Sequence, residues 1–134
     1  MIEMELNKII IDEKKHDQVI VLKEKNGERL MPIIIGLNEV SSIKMKLTKL
    51  TPPRPLTHDL LKLIIDSLEA KVEKVVIDKI EQGTFHAKIF LRTNDGKNKI
   101  LDARPSDSIA LALRTQSSIF VEEDVLDKTE ITKK

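Results

Sequence analysis

The chain has 134 residues, a length typical of one domain, and its 40% hydrophobic and 34% charged residues fit a globular protein rather than a disordered one. The absence of cysteine excludes disulfides, thiol catalysis and thiolate metal sites. A net charge of +1 and an aromatic content of 2% argue against a protein that neutralises many phosphates at once or stacks many bases.

The first residues carry acids, Glu3 and Glu5, where a signal peptide needs basic residues. No apolar run approaches the roughly 20 residues of a membrane span. We therefore expect a cytoplasmic protein with no membrane partner. The chain has only four glycines and lacks the Gly-rich phosphate loop and the dinucleotide fingerprint, so we expect no organic cofactor.

The first third of the chain predicts three strands. Residues 2–11 are strand-like, and an apolar run at 19–22 leads through Asn26-Gly27 into another at 30–35. Asn-Gly between two apolar runs is the strongest short hairpin signal. Pro32 has no backbone donor, which predicts that the third strand lies at a sheet edge or is irregular at that residue.

Two helices are predicted next, on either side of a short proline-rich loop. The first has an apolar residue every three or four positions, at Leu37, Val40, Ile43, Leu47 and Leu50. Thr51, Pro52 and Pro53 end it. The second helix covers about residues 58–68, and Thr57 is placed to cap its N-terminus.

The second half predicts a three-stranded meander followed by a helix and a last strand. The meander strands lie at 72–80, 84–92 and 99–103, separated by turns at Gln82-Gly83 and at residues 94–96. Ser106 is placed to cap a helix that runs to about residue 114. A short strand at 119–121 precedes a helical turn at 123–126, and we expect residues 128–134 to form a frayed, flexible tail.

This order of elements predicts the fold class. No linker, low-complexity stretch or block of like charge divides the chain, so we expect one domain over residues 1–127. Several hairpins separated by helices favour an α+β fold with a mixed or mainly antiparallel sheet and helices packed on it. Edge strands rich in Ile and Val make self-association plausible, and we expect a homo-oligomer.

Two short segments, residues 54–59 and 102–107, share the same chemistry: each places Arg-Pro, a hydroxyl residue and an acid at a predicted helix start. A helix N-terminus exposes unpaired N–H groups, and a neighbouring Arg adds donors. The phosphate-binding candidates are therefore Arg54, Thr57, Arg104 and Ser106. Carboxylates are ligands that Mg²⁺ or Mn²⁺ accepts, so the metal candidates are Asp59, Asp102 and Asp107, with Glu39 as a fourth.

Anion donors beside metal ligands describe a phosphodiester site, with His58, Asp59, Asp102 and Asp107 as the catalytic candidates. His58 is the candidate for proton transfer because an imidazole titrates near neutrality. Two other interpretations stay open. The same helix starts could hold an anionic ligand or an acidic protein segment without catalysis, or they could be ordinary caps with acids that complement helix dipoles, and the dipole explanation also suits Glu39. We interpret His16 and His86 as surface residues.

At these residues the chain resembles the bifunctional nuclease domain family, whose members share Arg-Pro-x-Thr-His-Asp-Leu and Asp-Ala-Arg-Pro-Ser-Asp motifs. The first motif stands at residues 54–60 and the second at residues 102–107. The similarity extends over about residues 2–127, and it implies RNase and DNase activity and nucleic acid as a partner. Four positions depart from the family pattern, and none is in the two motifs: Ile34, Val40, His86 and Ser108.

Overall fold

The structure is a computed structural model that describes residues 1–12, 14, 17–49 and 53–132. Within these residues the strands are β1 (Ile2–Ile10), β2 (Asp17–Glu24), β3 (Arg29–Gly36), β4 (Lys71–Glu81), β5 (Thr84–Arg92), β6 (Asn98–Ala103), β7 (Ser118–Val121) and β8 (Ile131–Thr132). The helices are α1 (Leu37–Leu47), α2 (Thr57–Ser67), α3 (Pro105–Thr115) and α4 (Glu123–Thr129). This is the predicted α+β class. Predictions for His16, Leu50, Thr51 and Pro52 concern residues outside the described ranges.

The strands form one sheet in the order β6-β5-β4-β7-β1-β2-β3-β8. Neighbouring strands run antiparallel, except that β7 lies parallel to β4, with Val75 opposite Ile119. The sheet therefore joins two antiparallel halves through one central parallel pair. The prediction of a mixed or mainly antiparallel sheet is confirmed.

The turn signals in the sequence place the hairpins correctly. Asn26-Gly27 lies between β2 and β3, which pair Leu22 with Met31. Gly83 has a φ of 78°, a conformation that favours glycine, and it closes the hairpin between β4 and β5. Pro32 pairs with Val21 on β2, whereas β8 covers only the first two residues of β3. Pro32 therefore lies where the outer side of β3 has no described strand beside it, as predicted for a proline.

The hydrophobic core consists of aliphatic side chains between the sheet and three of the helices. Ile20 and Ile77 on the sheet are fully buried, as are Ile43 on α1, Ile109 on α3 and Leu126 on α4. Close packing of such side chains is what stabilises a domain of this size. Helix α2 is different, because its main packing partner among the described elements is α3. None of the described helices is long and apolar enough to cross a membrane.

The helix starts differ by one residue from the prediction. The N-caps of α2 and α3 are Leu56 and Arg104, and neither makes a side-chain capping bond. Thr57 and Ser106 lie in the first turns instead, so their predicted capping role is wrong. In α2 the capping hydrogen bond is made by Asp59 instead, whose Oδ2 accepts from the Leu56 N–H at 3.0 Å.

The C-terminal region also differs from the prediction of a frayed tail beginning at residue 128. Helix α4 continues through Thr129, and β8 then pairs with β3 so that Ile131 lies opposite Leu30. The Arg29 guanidinium lies 2.9–3.2 Å from three acids in this region: Glu123, Asp127 and Glu130. The prediction missed this because a highly charged stretch carries little apolar periodicity, and here ion pairs to β3 take part in holding it.

Candidate active site

A cleft of about 350 Å³ is lined by the first turns of three helices. Asn38 and Glu39 come from α1, Thr57 and His58 from α2, and Asp107 from α3. Each helix N-terminus carries partial positive charge and N–H groups without an intrahelical partner. Three such ends beside one cleft create a local field that favours an anion.

The two polar segments meet in this cleft. His58 Nε2 lies 2.9 Å from Asp107 Oδ1, and His58 Nδ1 lies 2.7 Å from the hydroxyl of Ser42 on α1. Arg114 Nη2 donates to the same hydroxyl oxygen at 3.1 Å. The hydroxyl hydrogen is therefore free to point at Nδ1, which leaves the hydrogen of a neutral His58 ring on Nε2, directed at Asp107.

Arg104 and Asp107 form what we call the outer ion pair. Arg104 Nε lies 3.0 Å from Asp107 Oδ2, and Arg104 Nη1 lies 3.1 Å from Glu39 Oε1. The Arg104 side chain is 66% exposed, whereas the His58 side chain behind the pair is 9% exposed. Burial acts to raise the pKa of Asp107, but hydrogen bonds from His58 and Arg104 outweigh it and hold that pKa below its usual value. Asp107 is therefore an ionised acceptor at neutral pH.

Arg114 and Asp59 form the inner ion pair. Arg114 Nε lies 2.6 Å from Asp59 Oδ1, and the Arg114 side chain is only 2% exposed. Its remaining donors reach the backbone oxygens of Ala110 at 3.0 Å and Ser42 at 3.2 Å. The guanidinium thus ties α1, α2 and α3 together. Burial acts to raise the pKa of Asp59, but hydrogen bonds from Arg114 and the Leu56 N–H lower it overall.

Glu39 belongs to the wall of the cleft through its contact with Arg104. A Cβ atom on Gly36 would lie 2.5 Å from Glu39 Oε2, so glycine at this position lets the carboxylate fold back over the start of α1. Glu39 and Arg104 also line a second, larger cleft of about 700 Å³. The second cleft runs between the end of β3 and the β4–β5 turn, where Ile34, Thr84 and Phe85 contribute to its walls. The Glu39–Arg104 contact therefore borders both clefts.

Two of the predicted site residues lie apart from this arrangement. Asp102 is on the exposed strand β6, where Lys88 Nζ lies 3.1 Å from its carboxylate and lowers its pKa. Arg54 is exposed and lines neither of the two clefts described above. Ser106 is nearly buried and lines the larger cleft beside Arg104, whereas Thr57 lines the smaller one.

The predicted metal ligands do not come together. Among the described residues, no three His, Asp or Glu side chains are close enough to hold a metal ion. Each predicted ligand instead has a cationic partner: Asp59 has Arg114, Asp102 has Lys88, and Glu39 and Asp107 share Arg104. This donor set does not fit Mg²⁺ or Mn²⁺ in this arrangement, and metal dependence stays a prediction for chelation to test.

Two residues of the cluster, Ser42 and Arg114, were absent from the sequence-based candidates. Arg114 lies seven residues after Asp107, which is two turns along the same face of α3. Ser42 sits between the core residues Val40 and Ile43 and is itself buried. A charged residue in phase with a buried helix face is the signal that could have identified Arg114, whereas Ser42 lies off the apolar stripe of α1 and carried no such signal.

Comparison with known proteins identifies the family of this chain. The family model described as Bifunctional nuclease domain matches residues 20–134. The chain belongs to the bifunctional nuclease domain family. The match includes β8 and both polar segments, so the motifs that carried the resemblance lie within the region that the family shares.

The chain is similar to proteins from bacteria and plants. It is 40% identical over 118 residues to uncharacterized proteins from two strains of Mycobacterium tuberculosis, covering 88% of this chain and 70% of theirs. It is 32% identical over 114 residues to Bifunctional nuclease 2 of Oryza sativa subsp. japonica, covering 83% of this chain and 35% of the relative. It is 31% identical over 105 residues to Bifunctional nuclease 1 of Arabidopsis thaliana, covering 76% of this chain and 32% of the relative. The chain thus spans about a third of the length of these two plant relatives.

The four departures from the family pattern lie outside the ion pairs. Val40 and Ser108 are buried in the helix layer, and His86 is partly buried on β5. Ile34 is 67% exposed and lines the larger cleft. A change at Ile34 therefore alters the wall beside the Glu39–Arg104 contact, whereas changes at Val40 and Ser108 alter packing.

Proposed function

We propose that this family member is a nuclease that hydrolyses phosphodiester bonds of RNA or DNA. The observation that carries the proposal is the hydrogen-bonded series Arg104, Asp107 and His58, which is open to solvent at its Arg104 end and lies in a cleft formed by three helix starts. The names of the two plant relatives support the same chemistry. We also propose a cytoplasmic site of action, and a chain without cysteine is compatible with a reducing compartment.

Recognition of the phosphate begins with Arg104. Its guanidinium presents five donors in a plane, a geometry that matches two oxygens of a phosphate group. In the structure, Arg104 donates to the carboxylates of Asp107 and Glu39. When a phosphate enters the smaller cleft, its oxygens replace these carboxylates as the acceptors of the Arg104 hydrogen bonds. The N–H groups of the surrounding first turns are further donors to the phosphate. The larger cleft gives the rest of the nucleic-acid strand room beyond Arg104.

Proton transfer follows from the same exchange. Arg104 is one of the groups that lower the pKa of Asp107. When a phosphate replaces Asp107 as the hydrogen-bonding partner of Arg104, the pKa of Asp107 rises. Asp107 then becomes a better base. Asp107 accepts a proton from the water that attacks phosphorus, and the departing oxygen takes a proton from solvent in the open cleft. His58 holds the Asp107 carboxylate in place. Both of its ring nitrogens lie within hydrogen-bonding distance of a neighbour, Ser42 or Asp107, and its role in proton transfer stays a prediction.

The test is cleavage of labelled single-stranded RNA and DNA by wild type, Asp107→Asn and Asp102→Asn, each with Mg²⁺, Mn²⁺ or EDTA. Asp102→Asn is the matched control, because it removes an equal charge from a position outside the cleft. We expect Asp107→Asn to lose at least about 100-fold in rate, as is typical for loss of a general base, while Asp102→Asn cleaves like wild type. Equal rates for Asp107→Asn and wild type would remove Asp107 from the mechanism, and a rate abolished by EDTA would restore a role for metal.

A second candidate is a non-catalytic module that binds an anion or an acidic partner at the same helix starts. The observation that favours it is that, in the described part of the chain, the acids at the cleft each have a cationic partner, namely Arg104 for Glu39 and Asp107 and Arg114 for Asp59, and a paired carboxylate is a weaker base. This candidate predicts no cleavage by any variant. It also predicts that phosphate raises the melting temperature of wild type but not of Arg104→Ala.

A further inference from the structure

The larger cleft contains a polar group that the fold does not use. Ser106 lies in the first turn of α3 and is only 6% exposed, yet its hydroxyl has no hydrogen-bond partner within the part of the chain that the structure describes. The side chain lines the larger cleft beside Arg104. Buried hydroxyl groups are normally hydrogen-bonded, because an unpaired one costs free energy. The Ser106 hydroxyl can therefore bond to a ligand that enters this cleft.

The walls of the larger cleft are mainly apolar. Val19 and Ile34 lie opposite each other on β2 and β3, on the side of these strands that faces away from the core. Phe85, which follows the β4–β5 turn, is partly buried against the core and also lines the cleft. The volume of about 700 Å³ falls within the roughly 300–1,000 Å³ of small-molecule sites, which combine apolar walls with a few polar groups. The larger cleft thus has the size and lining of such a site.

The charge at the border of this cleft indicates what kind of molecule it fits. Arg104 lines both clefts, and its side chain is 66% exposed. A guanidinium matches a phosphate group, and Glu39 on the same border is already an ion-pair partner of Arg104. A ligand of the larger cleft therefore meets a cation, an unpaired hydroxyl and apolar surface. A nucleotide carries the complementary groups, which are a phosphate, a polar base edge and two flat apolar base faces.

The aromatic residues of the chain fit one base rather than a series. There are three phenylalanines and no tryptophan or tyrosine. Phe90 and Phe120 face Lys74, whose Nζ lies 4.8 and 5.9 Å from their ring centres, and neither lines either of the two clefts described above. Phe85 does line the larger cleft, so its ring can contact a base there. The low aromatic content that argues against stacking of many bases is compatible with this single contact.

From these observations we propose that the larger cleft binds the base of one nucleotide, whose phosphate is held by Arg104. Phe85 and Ile34 contact the faces of the base, and the Ser106 hydroxyl bonds to its polar edge. The inference rests on the proposed function for the strand that carries this nucleotide. It gives the nuclease a substrate whose base beside the bound phosphate is unpaired, because a base inside a duplex must first leave its stack to enter such a cleft.

The experiment compares adenosine monophosphate with ribose 5-phosphate, which has the phosphate and sugar but no base, by NMR titration of the full chain. We expect wild type to bind the nucleotide at least about tenfold more tightly. Arg104→Ala should weaken binding of both ligands to the same degree. Ser106→Ala should weaken only the nucleotide, at least about threefold, with an unchanged melting temperature because the hydroxyl has no described partner in the fold. Equal affinities of wild type for the two ligands overturn the proposal, and a lower melting temperature of Ser106→Ala without weaker binding removes Ser106 from the site.

A matched pair of variants tests the wall. Phe85→Leu and Phe90→Leu make the same change on the same strand, and leucine keeps an apolar side chain at each position. We expect Phe85→Leu to weaken the nucleotide at least about threefold and Phe90→Leu to leave it unchanged. Equal effects of the two variants, or none from Phe85→Leu, overturn the proposal.

Cleavage of labelled RNA by the same preparations separates this inference from the proposed function. A chain that distinguishes the nucleotide from ribose 5-phosphate but cleaves no RNA contradicts the nuclease and supports the base site. A chain that cleaves RNA but binds both ligands equally contradicts the base site alone.

Discussion

The inner and outer ion pairs are built from the same groups but differ in exposure. Arg114 of the inner pair is almost completely buried, whereas Arg104 of the outer pair is two-thirds exposed. In both pairs the acid is the third residue of a helix, Asp59 in α2 and Asp107 in α3. His58 and Ser42 connect the two pairs through hydrogen bonds.

Because of this difference, we expect the inner pair to contribute mainly to stability and the outer pair mainly to ligand binding. Removing a buried charged partner leaves its hydrogen-bonding neighbours unpaired, which costs several kcal/mol, whereas an exposed pair contributes about 1 kcal/mol or less. A ligand can displace the partners of Arg104 at low cost, but it cannot reach Arg114. We therefore expect variants of the inner pair to unfold more easily and variants of Arg104 to bind anions less tightly.

The largest expected effect is on stability at the inner pair. Arg114→Ala removes a buried guanidinium that donates to the Ser42 carbonyl and to Asp59, and because the Asp59 side chain is 31% exposed we expect a loss of about 3 kcal/mol in the free energy of unfolding, the lower end for a buried pair. Urea denaturation measures this loss. The control is Arg92→Ala, which removes an exposed ion pair with Glu73 and should cost less than about 1 kcal/mol. Equal losses for the two variants would show that burial does not distinguish these arginines.

A second effect concerns acid stability. The pKa values of Asp59 and Asp107 lie below the ordinary 3.8 in the folded protein. A lowered pKa gives stability that is present above the unfolded value and is lost as the pH falls through the folded value. The free energy of unfolding should therefore be nearly constant from pH 7 to 5 and fall below about pH 4. Urea unfolding of Asp107→Asn should show a shallower decline in that acid range, and a decline as steep as that of wild type would contradict the assignment.

The smallest expected effect comes from Glu39→Gln. The change removes a negative charge 3.1 Å from Arg104, so binding of inorganic phosphate should tighten by about two- to threefold, as fits an exposed ion pair. The substitution also separates two interpretations of Glu39, because a metal ligand would lose activity when it becomes an amide. Isothermal titration with phosphate, followed by cleavage assays with Mg²⁺, measures both. Cleavage lost together with the charge would support the metal interpretation.

Much of the fold could be predicted because its signals are local. The Asn26-Gly27 turn, the alternating strand β5 and the three- and four-residue spacing in α1 each depend on neighbours in sequence. The short strand β8 depends on a distant partner, β3, and on ion pairs to Arg29, so no local pattern revealed it.

Part of the candidate site could be predicted because its two motifs are also local signals in the sequence. His58 and Asp107 were identified by their motifs, and they do meet across 49 positions of sequence. Asp102 has the right chemistry, but its side chain points from β6 toward Lys88, a direction set by sheet register. The exposed face of α2 could not be predicted either, because an apolar stripe does not say whether a partner within the chain covers it.

The most direct test of the division between the pairs is the affinity for a short labelled single-stranded RNA, measured by fluorescence anisotropy at one fixed salt concentration. Arg104→Ala and Arg54→Ala each remove one exposed arginine from an Arg-Pro segment, and only Arg104 lines the clefts. The account predicts that Arg104→Ala weakens binding at least tenfold, or about 1.4 kcal/mol, with an unchanged melting temperature, and that Arg54→Ala weakens it less than about threefold. Equal weakening by both variants, or none by Arg104→Ala, would contradict it.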